Sequence, residues 1–363
     1  MKVLVLSGRF GMGHEMAANA ICEQFRKIDE HVRIEKEDLL EELYPHISKL
    51  IFGGFRLMVE HCHGIYNFIY KMSGRMKVEM QPRGAAIYKK LRRILEKEQP
   101  DVIVCTHPVC VKAIASYKEK TGLRTPLVTC ITDISMHPEW KAAQTDLYLA
   151  PTREIKEHLI SEGTKAENVL VTGIPVRQQF LDMDRDQIDK ERKVRKVLVM
   201  GGGLGLMPDL KELLGKLHSM QDVETVVITG KNHKMYEEWV NRYEDVEVLG
   251  YTENISKYMR QADLVITKAG GITLFELLHS QVPLFVIHPF LEQEMNNARY
   301  AAQKGFAKVI WGRHEAYIPE LEKLLNDRKA LERMNENVRR AKKEMIAVSL
   351  DEAVEIMEER MTA

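Results

Sequence analysis

Short apolar runs alternate with longer segments of helical period along most of the chain. In the first half the runs cover residues 2–7, 32–36, 101–106, 126–132, 146–150 and 168–172. In the second half they cover 196–200, 224–229, 246–249, 263–267, 283–287 and 307–311. Runs this short and this rich in Val, Ile and Leu read as strands buried on both faces. The segments between them carry helical periodicity and return the chain to the same end of a sheet. The alternation predicts an α/β protein whose parallel sheets are covered by helices.

The theme occurs twice. Val3–Leu6 runs into Gly8, Gly11 and Gly13, and Val197–Met200 runs into Gly201, Gly202, Gly203 and Gly205. Two doubly wound, Rossmann-like domains follow, the first over residues 1–175 and the second over 196–345. Between them, 176–195 is a charged linker that begins after Gly173 and Pro175. Residues 346–363 are predicted to form a helix whose Val348, Val354 and Met357 pack back on the N-terminal domain.

Residues 44–80 break the rhythm. They are dense in apolar side chains (Ile47, Leu50, Phe52, Phe55, Ile65, Phe68), and Lys71, Arg75, Lys77, Arg83 and Arg92 lie among or after them. One reading is a helix pair in the core with a solvated basic face. The other is an apolar, basic-flanked surface that meets anionic lipid headgroups.

Composition narrows the class. With 363 residues, 45% of them apolar, the chain can build two globular cores. The 53 basic and 53 acidic residues cancel, which argues against a general nucleic-acid binder. Cys22, Cys62, Cys105, Cys110 and Cys130 form no C-x-x-C pair and read as reduced thiols of a cytoplasmic protein. No run approaches the ~20 apolar residues of a spanning helix, so membrane contact would be peripheral, on the inner face of the cell membrane.

The glycine turns carry the candidate chemistry. A strand, a glycine turn and a helix start make an anion site, because main-chain N–H groups point outward there. Gly11-Met-Gly13-His14-Glu15-Met16 nearly matches a dinucleotide fingerprint, but Met16 stands where the third glycine belongs. No P-loop sequence occurs. His14, just past that turn, is placed either to exchange a proton with a ligand or to serve as a polar cap. In the second half, Lys268-Ala-Gly270-Gly271-Ile-Thr273-Leu-Phe-Glu276 follows a strand. Its glycines let backbone approach a ligand. Glu276 can accept the two hydroxyls of a ribose or simply favour the helix dipole. A further polar cluster, His288 to Asn297, follows the next strand.

Taken in order, these motifs resemble the GT-B glycosyltransferases of the group that contains the peptidoglycan N-acetylglucosaminyltransferase and the monogalactosyl- and diglucosyl-diacylglycerol synthases. The resemblance rests on Gly11-Met-Gly13-His14, Thr132-Asp133-x-x-x-His137-Pro-x-Trp140, Thr172-Gly-Ile-Pro175, Gly201-Gly-Gly-Leu-Gly205, Lys268-Ala-Gly-Gly-x-Thr273-x-x-Glu276 and Gln293-Glu294-x-x-Asn297. It covers nearly the whole chain, and its diacylglycerol branch is the nearer. It implies two Rossmann-like domains facing across a cleft. A UDP-sugar donor would lie on the second domain, bordered by Gly202, Gly203 and Gly205. Gly270, Gly271 and Thr273 would face the diphosphate and Glu276 the ribose. Gln293 and Glu294 would face the sugar, with Asn297 in the same site. Glu292 stands where the lipid synthases often carry Gly.

The implied reaction is an inverting single displacement by an acceptor hydroxyl, with a lipid as acceptor and no metal. His14 is the expected base, with Asp133 or His137 as alternative or orienting partner. Asp182-Met-Asp184 reads as solvated linker, and His61-Cys62-His63 lacks partners for a metal site. A UDP-sugar 2-epimerase of the same architecture, a transferase acting on a non-lipid acceptor, an idle binding module and an NAD-dependent dehydrogenase are the competing readings.

Overall fold

A computed structural model describes residues 1–8, 12–43, 84–135, 137–181, 194–201, 210–312 and 316–362. The segment 44–80, Gly11, Gly202, Gly203, Gly205 and most of the expected linker lie outside the described residues. The chain divides into two compact units. One holds Met1–Gln178, Leu291–Gln293 and Glu344–Ala363, and the other Gln179–Phe290 and Glu294–Lys343.

The first unit is built on β1 (Lys2–Ser7), β2 (Arg33–Asp38), β3 (Val102–Cys105), β4 (Leu127–Cys130), β5 (Leu147–Ala150) and β6 (Val169–Val171). They form one sheet in the order β2-β1-β3-β4-β5-β6. Every pair is parallel, with Val5 beside Lys36 on one side and Val104 on the other. Alternation along β1 explains why both faces need cover. Leu4 and Leu6 enter a core shared with α2 (Ala85–Glu98) and α3 (Pro108–Thr121), through Leu91, Leu95, Val111 and Ile114. Val3 and Val5 enter the opposite core with Ile21 and Phe25 of α1 (Met12–Ile28).

That second core also takes Leu350, Ala353, Val354 and Met357, from the C-terminal helix Leu350–Thr362. Its approach is fixed by main-chain bonds from the N–H groups of Ala347 and Val348 to the Val171 oxygen, each 3.0 Å. Cys22, Cys105, Cys110 and Cys130 are all buried free thiols. Burial pushes the Cys130 thiol up to about 12, so it stays protonated and inert.

The second unit holds β7 (Arg195–Met200), β8 (Val223–Ile228), β9 (Val246–Leu249), β10 (Leu264–Ile266), β11 (Leu284–Ile287) and β12 (Ala307–Ile310). Their order is β12-β11-β10-β7-β8-β9, again all parallel. All twelve strands anticipated from the apolar runs are present, within two residues at each end. In both sheets the first strand sits inside the sheet and the chain winds outward on each side of it. The carboxyl ends beside such a reversal are where open α/β sheets bind ligands. No helix among the described residues is long and apolar enough to cross a membrane.

Candidate active site

In the first unit the chemistry gathers at the carboxyl ends of β1, β3 and β4. Gly13 and His14 lie in the first turn of α1. His14 Nδ1 is 2.9 Å from the Thr106 carbonyl oxygen and 2.7 Å from Thr132 Oγ1. A carbonyl can only accept, so Nδ1 carries the proton of the neutral ring, and Nε2 keeps its lone pair. Thr106 also holds the other end of the residue, donating from Oγ1 to the His14 carbonyl at 3.0 Å. Thr106 directly follows β3, Thr132 lies two residues past the end of β4, and both are buried, so their positions are set by the sheet. Burial lowers the His14 pKa from its usual 6.5, and the Asp133 charge and the Thr106 bond oppose part of that shift. His14 is therefore neutral near pH 7 and able to take a proton.

Asp133 is buried, and its Oδ2 accepts from Trp140 Nε1 at 2.8 Å. Trp140 is wholly buried and sits 6.1 Å from the His14 ring, centroid to centroid. This contact explains the Asp133-to-Trp140 spacing. The indole N–H neutralises one oxygen of a carboxylate that would otherwise be costly inside the protein. His137 has a different place. It caps the short helix Pro138–Trp140, its Nδ1 accepting from the Glu139 N–H at 3.5 Å and lying 3.7 Å from the Glu139 carboxylate. The structure thus groups His14, Asp133 and Trp140, and sets His137 on the turn that carries Trp140.

In the second unit β10 runs into a tight turn closed by the Gly270 N–H on the Lys268 oxygen, 2.9 Å. Helix α4 (Gly271–Ser280) starts there, and its first bond runs from Leu274 N–H to the Gly270 oxygen at 3.0 Å. The N–H groups of Gly271, Ile272 and Thr273 have no acceptor within the helix and face the end that favours anions. A Cβ at position 270 would lie 3.3 Å from Thr273 Oγ1, so Gly270 lets that hydroxyl fold over the turn. Glu276 lies one turn further along α4 and is 6% exposed.

Helix α5 (Glu292–Gln303) supports this turn. Asn297, 1% exposed, donates from Nδ2 to the Ala269 oxygen at 2.9 Å. It therefore acts by holding the glycine turn in place rather than from the surface. Gln293 and Glu294 occupy the first turn of α5 and are half-buried. Glu294 lines a pocket with Thr267, Lys268, His288 and Phe290 at the ends of β10 and β11. The Lys268 ammonium lies 5.0 Å from the Phe290 ring centroid. Burial lowers its pKa while the Glu294 charge raises it. His288 holds the left-handed backbone, φ 47°, that non-glycine residues rarely adopt, and its Nε2 is buried without a protein partner. An amine, a carboxylate and an imidazole thus come together at the carboxyl ends of two strands, where open α/β sheets bind ligands.

Thr106, His107, Lys268 and His288 were given no role from sequence. The signal was position alone: Thr106 ends an apolar strand run and His107, Lys268 and His288 each follow one directly. Among the described residues no group of three His, Cys, Asp or Glu side chains converges to hold a metal ion.

Comparison with known proteins gives the family of the chain. The monogalactosyldiacylglycerol (MGDG) synthase family matches residues 14–176, and the glycosyltransferase family 28 C-terminal domain matches residues 196–354. The processive diacylglycerol β-glucosyltransferase of Bacillus licheniformis is 31% identical over 356 residues, covering 93% of this chain and 90% of that protein. The crystal structure of Acinetobacter baumannii MurG superposes with a TM-score of 0.62 at 14% identity, over 93% of this chain and 94% of that one. UDP-GlcNAc 2-epimerase from Neisseria meningitidis, bound to UDP-GlcNAc, superposes with a TM-score of 0.58 at 16% identity, over 99% of each chain. At such identities these two structures speak for the GT-B fold alone.

Proposed function

This chain belongs to the diacylglycerol glycosyltransferase family and is a hexosyltransferase; from that premise we propose that it moves a hexosyl group from a UDP-sugar to the hydroxyl of a diacylglycerol-type lipid. The observation that carries the donor half is the anion-ready start of α4 with buried Glu276 one turn beyond it. In this reading the N–H groups at Gly271 to Thr273 hold the diphosphate, and Gly202, Gly203 and Gly205 border the same site. Glu276 accepts the ribose hydroxyls. Gln293 and Glu294 accept the sugar hydroxyls, and Asn297 fixes the turn. The identity of the acceptor is supported by the B. licheniformis relative, named for diacylglycerol.

His14 Nε2 takes the proton from the acceptor hydroxyl. The oxygen forms its bond to the anomeric carbon as the bond from that carbon to the diphosphate oxygen breaks, so configuration inverts and UDP leaves. Asp133 favours the imidazolium that forms, and the helix start stabilises the charge on the leaving diphosphate without a metal. Residues 44–80 supply the acceptor and membrane contact, and the enzyme works as a cytoplasmic, peripheral protein with no nucleic-acid partner.

The test is UDP release from UDP-glucose and UDP-galactose, with and without diacylglycerol, followed by product analysis. Release that requires the lipid and yields a glycolipid supports the reading. The fold is shared with a UDP-GlcNAc 2-epimerase, which makes epimerisation the second reading. Conversion of a UDP-sugar with no acceptor present would favour it.

A further inference from the structure

His288 bears two costs that its packing does not offset. It follows β11 directly and holds the left-handed backbone, φ 47°, which a residue with a side chain adopts under strain. Its main-chain N–H donates to the Ile310 oxygen at 2.9 Å, so that backbone is fixed by the sheet. The ring meets Tyr317 edge-on, 5.9 Å between centroids with 88° between planes. Tyr317 gives its own O–H to Glu212 Oε2 at 3.4 Å. His288 Nε2 is buried with no hydrogen-bond partner in the protein. A buried polar atom left in that state destabilises a fold. Both costs fall on one residue, and that residue lines the pocket at the carboxyl ends of β10 and β11.

The rest of the pocket indicates what the ring can pair with. Lys268 and Glu294 line it too. An ammonium only donates hydrogen bonds, an ionised carboxylate only accepts them, and a neutral imidazole does one at each nitrogen. Phosphate oxygens at neutral pH only accept, and they would meet the Glu294 charge with nothing to give it. A sugar hydroxyl donates and accepts, so it is compatible with all three groups. We propose that His288 is a specificity-determining residue for the transferred sugar: its imidazole hydrogen-bonds a hydroxyl of the hexose, in the pocket it shares with Lys268 and Glu294. The inference rests on the UDP-sugar reading above and adds a partner to it. The hexose supplies the bond that the protein leaves unmade. The UDP portion of the donor makes no use of the ring.

Calorimetric titration of the full-length protein with UDP, UDP-glucose and UDP-galactose, unsubstituted and as His288→Asn, tests this. Asparagine tolerates the left-handed backbone, and its side chain stops one bond short of Nε2. For the UDP-hexose that the unsubstituted protein binds more tightly, affinity should fall about tenfold, the loss of one hydrogen bond. UDP affinity should stay within about twofold. An unchanged UDP-hexose affinity overturns the proposal. An equal loss for UDP overturns it as well, because His288 would then support the unit as a whole. If His288→Asn does not fold, His288→Gly, which adopts the backbone freely, is read against the same outcomes. If the unsubstituted protein binds neither UDP-hexose, the donor reading itself falls and takes the inference with it.

Discussion

His14 Nδ1 lies 2.9 Å from the main-chain oxygen of Thr106, 92 residues further along the chain. That one bond chooses the tautomer, leaves the lone pair on Nε2 and ties the base to the end of β3. Thr132 adds a hydroxyl at 2.7 Å from β4. Thr132→Val should leave the Thr106 bond intact and loosen the ring. Turnover should fall about 5- to 10-fold, since small misplacement of a reacting group is costly. Steady-state kinetics and UDP titration check this: kcat falls while UDP affinity holds.

The Trp140 indole is the donor for Asp133 Oδ2 at 2.8 Å, inside the protein. Trp140→Phe keeps most of the aromatic packing and removes that donor. The carboxylate then stays buried with one bond fewer, a loss of about 1–3 kcal/mol. Urea unfolding should show a lower midpoint. The pH dependence of turnover should change as well, because Asp133 is the charge that favours protonated His14.

Stability should depend on pH in a defined direction. His14 and His107 have folded-state pKa values below 6.5, both chiefly through burial. Above pH 6.5 neither state binds these protons, and they contribute no pH dependence. Below it the unfolded chain takes up protons that the folded protein refuses, so unfolding gains and stability falls. The loss continues until the folded pKa values are reached. Thermal melts from pH 7.5 to 5.0 should show a declining midpoint below about pH 6.5, with a smaller decline in His107→Asn.

Gly270 is required by closeness rather than by backbone angle. Its φ is −68°, open to any residue, but a Cβ would stand 3.3 Å from Thr273 Oγ1. Gly270→Ala should push Thr273 aside at the proposed diphosphate site without unfolding the unit. UDP affinity should drop about tenfold, near 1.4 kcal/mol, with an unchanged circular dichroism spectrum. Isothermal titration with UDP measures it.

Both sheets could be read from the sequence because parallel strands buried on both faces are written as continuous apolar runs, as at Val3–Leu6 and Leu284–Ile287. The glycine turn at Gly270 and the polar residues after it were legible for a similar reason, since strand, turn and helix start are contiguous in the chain. Asp133 was named beside His14 through the family resemblance, and what could not be read is the pair of threonines that hold the ring. Thr106 and Thr132 are 92 and 118 residues from it, and each looks like any polar residue after a strand. His107 carried one visible sign, the His-Pro step that opens a helix, and the same step at His137-Pro138 serves a different end. Asn297 was placed in the nucleotide-sugar site, and its 1% exposure and bond to the Ala269 oxygen set it directly beneath the glycine turn.

The account stands on His14 as the base of a transfer reaction. The most direct measurement is turnover of His14→Ala with UDP-glucose and diacylglycerol, alongside UDP binding by calorimetry. Turnover should fall by about 10²-fold or more, with UDP affinity within about twofold of the unsubstituted protein. Undiminished turnover in His14→Ala would contradict the account.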